Sequence, residues 1–139
     1  MARLTHLADT SVFARLTKTN VQATFAPLVA AGRVALCAPV AFELGVTVRS
    51  GEHVAAFNER LNAYALLPTN DGDHQRALAV QQLLMARGQH RGVSLVDALV
   101  AAIAESRQLI VLHYDADFEL VAAVTSQRQQ WIVPPGTAD

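Results

Sequence analysis

The chain is poor in several things that would classify it at once. It has one cysteine (Cys37), one lysine (Lys18), and only 6% aromatic residues. A single cysteine excludes an internal disulfide framework and points to a reducing compartment, the cytoplasm. Cys37 sits in the apolar run Val34-Ala35-Leu36-Cys37-Ala38 and reads as buried filler rather than a nucleophile. No uninterrupted apolar run reaches the ~18 residues of a membrane span. Met1-Ala2-Arg3-Leu4-Thr5-His6 lacks the apolar region of a signal peptide, so no membrane association is expected. Neither charge sign is in excess: the net charge is −1. That excludes nucleic-acid binding through bulk positive charge but leaves room for a local basic site. Internal repeats, low-complexity tracts and linkers are also missing. The 139 residues therefore read as one domain spanning 1–139, with a loose tail from about residue 134.

What is present is apolar and regularly punctuated, with 52% hydrophobic residues. Leu4 to Ala8, Val34 to Cys37, Ala65 to Leu67, Leu109 to Leu112 and Trp131 to Pro134 read as short strands. Helices are expected over 11–17, from Asn20 to Gly32, from Pro39 to about Arg49, and through Val54, Phe57, Leu61 and Tyr64. Three more run from Asp71 or Asp73 to Met85, from Ser94 through Ala104, and from about Asp115 to Val124. This alternation predicts an α/β fold with a mainly parallel sheet of about five short strands flanked by helices.

The segment Ser94-Leu95-Val96-Asp97-Ala98-Leu99-Val100-Ala101-Ala102-Ile103-Ala104 is the centre of the pattern. Ser94 is placed as an N-cap, with Asp97 three residues on. The helix behind is apolar nearly all round and belongs inside a domain. A carboxylate on such a face is costly to bury unless it is paired. Other acids fall where a doubly wound sheet brings them together, beyond the carboxyl ends of strands. Asp9 follows the first strand, Asp115 and Asp117 follow the fourth, and Glu43 shares a helix stripe with Val40 and Thr47. Asp9 and Asp97 would also serve as plain caps, Glu43 as a solvated residue, and Asp115 and Asp117 as a turn and cap.

Clustered carboxylates repel, and a hard divalent cation relieves this through oxygen ligands. Mg²⁺ fits an all-carboxylate set, as does Mn²⁺. Zn²⁺ does not, because no His/Cys ligand spacing is present. Such ions activate water and neutralise charge on a phosphoryl group. Arg87, His90 and Arg91, just before the Asp97 helix, offer cationic contacts for a phosphate beside that site, or a solvated turn. Trp131 reads as core or interface.

Leu7-Ala8-Asp9-Thr10-Ser11, Glu43 in Pro39-Val40-Ala41-Phe42-Glu43-Leu44, Asp97 in Leu95-Val96-Asp97-Ala98-Leu99, and His113-Tyr114-Asp115-Ala116-Asp117-Phe118-Glu119 together resemble the four acidic motifs of PIN-domain ribonucleases. More narrowly, the chain resembles VapC-type toxins of bacterial toxin–antitoxin pairs. The resemblance covers about residues 4–133. It implies a PIN-like fold and a Mg²⁺- or Mn²⁺-dependent endoribonuclease acting on tRNA or other structured RNA, with 5′-phosphate and 3′-hydroxyl products. It also implies a homodimer and inhibition by a VapB-like antitoxin. By position, Asp9 and Asp97 are the leading metal ligands. Glu43 and Asp115 complete the acidic set, Asp117 joins through water, and Thr10 or Ser11 orients the first carboxylate. Many family members have Ser or Thr where this chain has His113, which would either contact RNA phosphate or pack. A receiver-type signalling domain would need a lysine after a late strand, and Lys18 is not there. A non-catalytic PIN-like module that binds RNA or protein is the remaining alternative.

Overall fold

Three consecutive buried residues, His6–Ala8, form strand β1 at the centre of the sheet. The computed structural model describes residues 3–49, 51 and 53–139. Met1 and Ala2, part of the segment read for a signal peptide, lie outside the described residues. After β1 come α1 (Thr10–Phe13), α2 (Thr19–Ala30), β2 (Val34–Cys37), α3 (Ala38–Val46), α4 (Val54–Leu61) and β3 (Ala65–Leu67). The second half comprises α5 (Asp71–Met85), a 3₁₀ turn (His90–Gly92), α6 (Leu95–Ser106), β4 (Ile110–His113), α7 (Asp117–Thr125) and β5 (Gln129–Trp131).

The strand order is β3-β2-β1-β4-β5, and every pairing is parallel. The α/β expectation with five short parallel strands is met. The chain winds outward from β1 to β3 on one side, then crosses to β4 and β5 on the other. β1 and β4 therefore flank the switch point where ligand crevices open in such sheets. Their register pairs Leu7 with Val111 and Ala8 with Leu112. A further bond from Asp9 N–H to Leu112 O, 2.9 Å, carries the pairing to the strand ends.

The core explains the choice of elements. Leu7, Val12, Leu36, Val40, Val100, Ile103, Val111 and Phe118 share one buried cluster. Ala98 through Ala104 of α6 are all buried, as a helix apolar all round requires. Ser94 caps it, its Oγ accepting from Asp97 N–H at 3.1 Å. Helix α5 starts on a full capping box: Asn70 Oδ1 accepts from Asp73 N–H, and Asp73 Oδ2 accepts from Asn70 N–H. Among the described residues, no helix is long and apolar enough to cross a membrane.

Four expectations need correction. The last strand is Gln129–Trp131, not Trp131–Pro134. Gln129 and Gln130 look unlike strand residues, but their side chains bond the strand residues His113 and His6. Ile132 and Val133 are buried just past the strand end. The first helix is also short, ending at Phe13, and α3 stops at Val46 rather than near Arg49. The tail is tied down rather than loose. Tyr114 Oη accepts from the N–H groups of Gly136 and Ala138 and donates to Asp139 Oδ1. Lys18 and Asn20 bond carbonyls of Asp139 and Thr137, and Ala138 is buried.

Candidate active site

Asp9 leaves the end of β1 as the N-cap of α1. Its Oδ2 accepts from Ser11 N–H (3.0 Å) and Ser11 Oγ (2.6 Å). The Ser11 hydroxyl oxygen in turn accepts from Tyr114 N–H at 2.8 Å. Ser11 thus joins the first acidic segment to the loop after β4, and it is Ser11 that orients the first carboxylate. Thr10 acts elsewhere. Its Oγ1 donates to Glu43 Oε1 at 2.5 Å, fixing the α3 acid against α1.

Asp97 lies in the first turn of α6, and Asp115 and Asp117 follow β4. One carboxylate oxygen from each of these three lies within 4.8 Å of the others. All three are half-buried, with only oxygen donors on offer. Asp115 Oδ1 accepts from Asp117 N–H at 2.9 Å, which sets the two acids as a turn before α7. Asp117, expected to join the acidic set through water, thus lies in the tight cluster with Asp97 and Asp115. Asp9 acts on the cluster through its charge, which after burial is the main cause of the raised Asp97 pKa.

The electrostatics follow from crowding. Burial, then the charges of Asp9, Asp115 and Asp117, push Asp97 up to about 7. Burial also raises Asp9 against the opposing Ser11 bonds, and burial with the Asp115 charge raises Asp117. Such a cluster is poised to take up either protons or a cation. Hard oxygen donors at this spacing suit a divalent ion such as Mg²⁺ or Mn²⁺. Cys37 is buried, and its thiol is pushed up to about 11, which agrees with a packing role.

The basic turn divides. His90 lines an apolar groove with Ala77, Leu84, Val93 and Ala98, between α5 and α6. Arg87 and Arg91 are exposed. The turn does border the acids: a Cβ at Gly92 would lie 4.0 Å from Asp117 Oδ1. The phosphate-contact expectation thus fits the exposed Arg91 better than His90, whose ring is among apolar neighbours.

Of the two alternatives for His113, contact with RNA phosphate or packing, the structure shows packing. His113 is fully buried, ending β4, and has no surface to offer an RNA phosphate. Its ring packs against Phe118 and Trp131. Nε2 faces Gln129 Oε1, while Nδ1 accepts from Asp115 N–H at 3.0 Å. Sequence reasoning missed Tyr114 and Gly92, because backbone bonds and close approaches carry no residue-type signal, and Gln129, because hydrophobicity does not mark it as a strand residue. Trp131 packs on Tyr114 and His113 and donates to Glu119, consistent with core.

Comparison with known proteins agrees with this geometry. A family model described as PIN domain matches residues 7–124. The chain is 45% identical over 136 residues to Ribonuclease VapC51 of Mycobacterium tuberculosis, covering 98% of each chain. It is 38% identical over 134 residues to Ribonuclease VapC21 of the same organism, covering 96% of this chain and 97% of that one. Among solved structures, VapBC-1 of nontypeable Haemophilus influenzae matches with a TM-score of 0.74 at 15% identity, over 93% of this chain and 98% of that one. That last match is a likeness of fold. The family model and the two near-full-length relatives place the chain in the PIN-domain family, in its VapC ribonuclease branch.

Proposed function

We propose that this protein is a Mg²⁺- or Mn²⁺-dependent endoribonuclease toxin that cleaves tRNA or other structured RNA, inhibits translation, and is neutralised by a VapB-like antitoxin. The observation that carries the reading is the cluster of Asp97, Asp115 and Asp117 oxygens within 4.8 Å of one another, at the switch point of a parallel sheet. These three acids would hold the ion, with Asp9 and Glu43 completing the acidic surround. When bound, the ion supplies positive charge for phosphate oxygens and lowers the pKa of water. The protein's own part is to fix the acids: Ser11 holds Asp9 and Thr10 holds Glu43. Arg91, exposed beside Gly92, holds a substrate phosphate as a point of positive charge.

The inhibitor reading draws support from a second feature. Phe13, Leu16, Leu44, Phe57, Leu61 and Tyr64 line an apolar groove. Helices α1 and α3, which make the Thr10–Glu43 contact, also contribute Phe13 and Leu44 to this groove. An antitoxin that lays an amphipathic helix in the groove would send an Arg towards the acids, where guanidinium competes with metal. The same reading brings a homodimer, for which the exposed Leu78 and Leu95 offer apolar surface; sedimentation of the purified protein checks it.

The experiment is cleavage of purified tRNA with and without Mg²⁺, with 5′ ends mapped. We expect metal-dependent cuts, abolished in Asp97→Asn. Binding of RNA without cleavage in any divalent metal would instead make the protein a non-catalytic binding module.

A further inference from the structure

His113 is conspicuous because it is buried, polar and bonded at both ring nitrogens. The donor to Nδ1 is the backbone N–H of Asp115, 3.0 Å away. A backbone amide can only donate, so Nδ1 is an unprotonated acceptor, and the proton of the neutral ring sits on Nε2. Nε2–H then donates to Gln129 Oε1 on β5. Phe118 and Trp131 pack on the ring, each with its centroid 4.9 Å away. Neither the tautomer nor the orientation of the imidazole is left free.

The bond made by Nδ1 leads straight to the acids. Asp115 lies past the end of β4, where its amide would otherwise lack a strand partner. Its own Oδ1 accepts from Asp117 N–H at 2.9 Å. A continuous line of hydrogen bonds therefore runs from Gln129 through the ring to the Asp115 amide, and from the Asp115 carboxylate to Asp117. Both acids belong to the cluster with Asp97.

We infer that His113 is a positioning residue for the candidate metal site: its Nδ1, as a neutral acceptor, fixes the Asp115 amide and through it the spacing of the Asp115 and Asp117 carboxylates. The inference rests on the metal-dependent reading above. A plain core role would need only the ring's volume, which an apolar side chain supplies. The positioning role needs an acceptor at the Nδ1 place.

Amide isosteres separate the two. In His113→Asn the carboxamide oxygen falls near the Nδ1 position; in His113→Gln the amide reaches the Nε2 position instead. His113→Leu keeps volume and offers no acceptor. For each full-length protein, Mn²⁺ and Mg²⁺ affinity are measured by calorimetry, Tm is measured without metal, and kcat and KM are measured on RNA. We expect His113→Asn to stay within about threefold of the parent in metal Kd. His113→Gln and His113→Leu should weaken it by about tenfold or more, the size of loss found when groups supporting ligands are removed. That loss should appear in kcat more than in KM. It should not follow the order of Tm.

Parental metal affinity in His113→Leu, or losses in all three variants that simply track Tm, would overturn the inference. Should the ring variants fail to fold, Gln129→Met leaves His113 in place and frees Nε2. A several-fold weaker metal affinity is then expected, and an unchanged one overturns the inference. If the parent itself binds no divalent ion, the metal reading falls first and this one with it. That result is distinct from a parent that binds while His113→Leu binds equally well.

Discussion

At the scale of the residue, Asp97 concentrates the unfavourable electrostatics of the site. Its folded pKa, about 7, stands above the ordinary 3.8 because burial and three neighbouring acids oppose its charge. The folded state therefore binds the proton more tightly than the unfolded chain does. In metal-free protein this effect costs nothing below about pH 3.8, grows as pH rises towards 7, and is complete above it. Asp97→Asn removes the charge while keeping shape. In metal-free protein at pH 8 it is expected to raise stability by about 2–4 kcal/mol, the lower end reflecting partial exposure. At pH 4 the gain should nearly vanish. Urea denaturation at the two pH values checks this, and equal stability of variant and parent at pH 8 would refute it. The same substitution should abolish metal-dependent cleavage, so stability and activity move in opposite directions.

At the scale of the element, helix α5 shows how local rules set the frame behind the site. Asp73 is almost fully buried, closes the capping box with Asn70, and pairs with Arg107 of α6's end at 3.5 Å. Asp73→Ala removes the Asp73 half of the capping box, its bond from Asn70 N–H, worth about 1 kcal/mol, and leaves Arg107 without that partner, about 1–3 kcal/mol more. A loss of about 2–4 kcal/mol in urea, with an unchanged m-value, is expected. Below its Tm the variant should keep its metal Kd, since Asp73 is not a member of the acidic cluster. Such caps are readable in the chain. Ser94 before an apolar helix and the Asp71/Asp73 helix start both stand where sequence rules place them. Asp9, Glu43 and Asp97 are legible as acids at strand ends or on apolar stripes. What is not legible depends on backbone partners. The Ser11 link to the Tyr114 amide, the His113 link to the Asp115 amide, and the Tyr114 clasp on the tail use groups every residue carries. β5 escapes a reading by hydrophobicity because Gln129 and Gln130 are in a strand for their hydrogen bonds.

At the scale of the whole molecule, strand order is what makes the site. The order β3-β2-β1-β4-β5 places the ends of β1 and β4 side by side, so acids separated by about a hundred residues of chain face one another. Each half alone would leave its carboxylates solvated. Folding forces them together, and above the raised pKa of Asp97 the cost is relieved by a cation, whether metal or guanidinium. Stability and ligation are therefore linked. At a free metal concentration one hundred times Kd, Mg²⁺ or Mn²⁺ is expected to add about 2.7 kcal/mol and raise Tm accordingly. At the same metal concentration the gain should shrink in Asp97→Asn, which has lost one of the three acids proposed to hold the ion. An antitoxin Arg seated among Asp9, Glu43, Asp97 and Asp115 would already neutralise that charge. In the co-purified complex, therefore, added Mg²⁺ should leave Tm nearly unchanged and bind far more weakly than to the free protein. Thermal scans and calorimetric titrations of free protein and complex, run side by side, measure both. If the complex takes up Mg²⁺ with the affinity of the free protein, inhibition does not pass through the acidic cluster, and the antitoxin must act by closing the approach of RNA from outside.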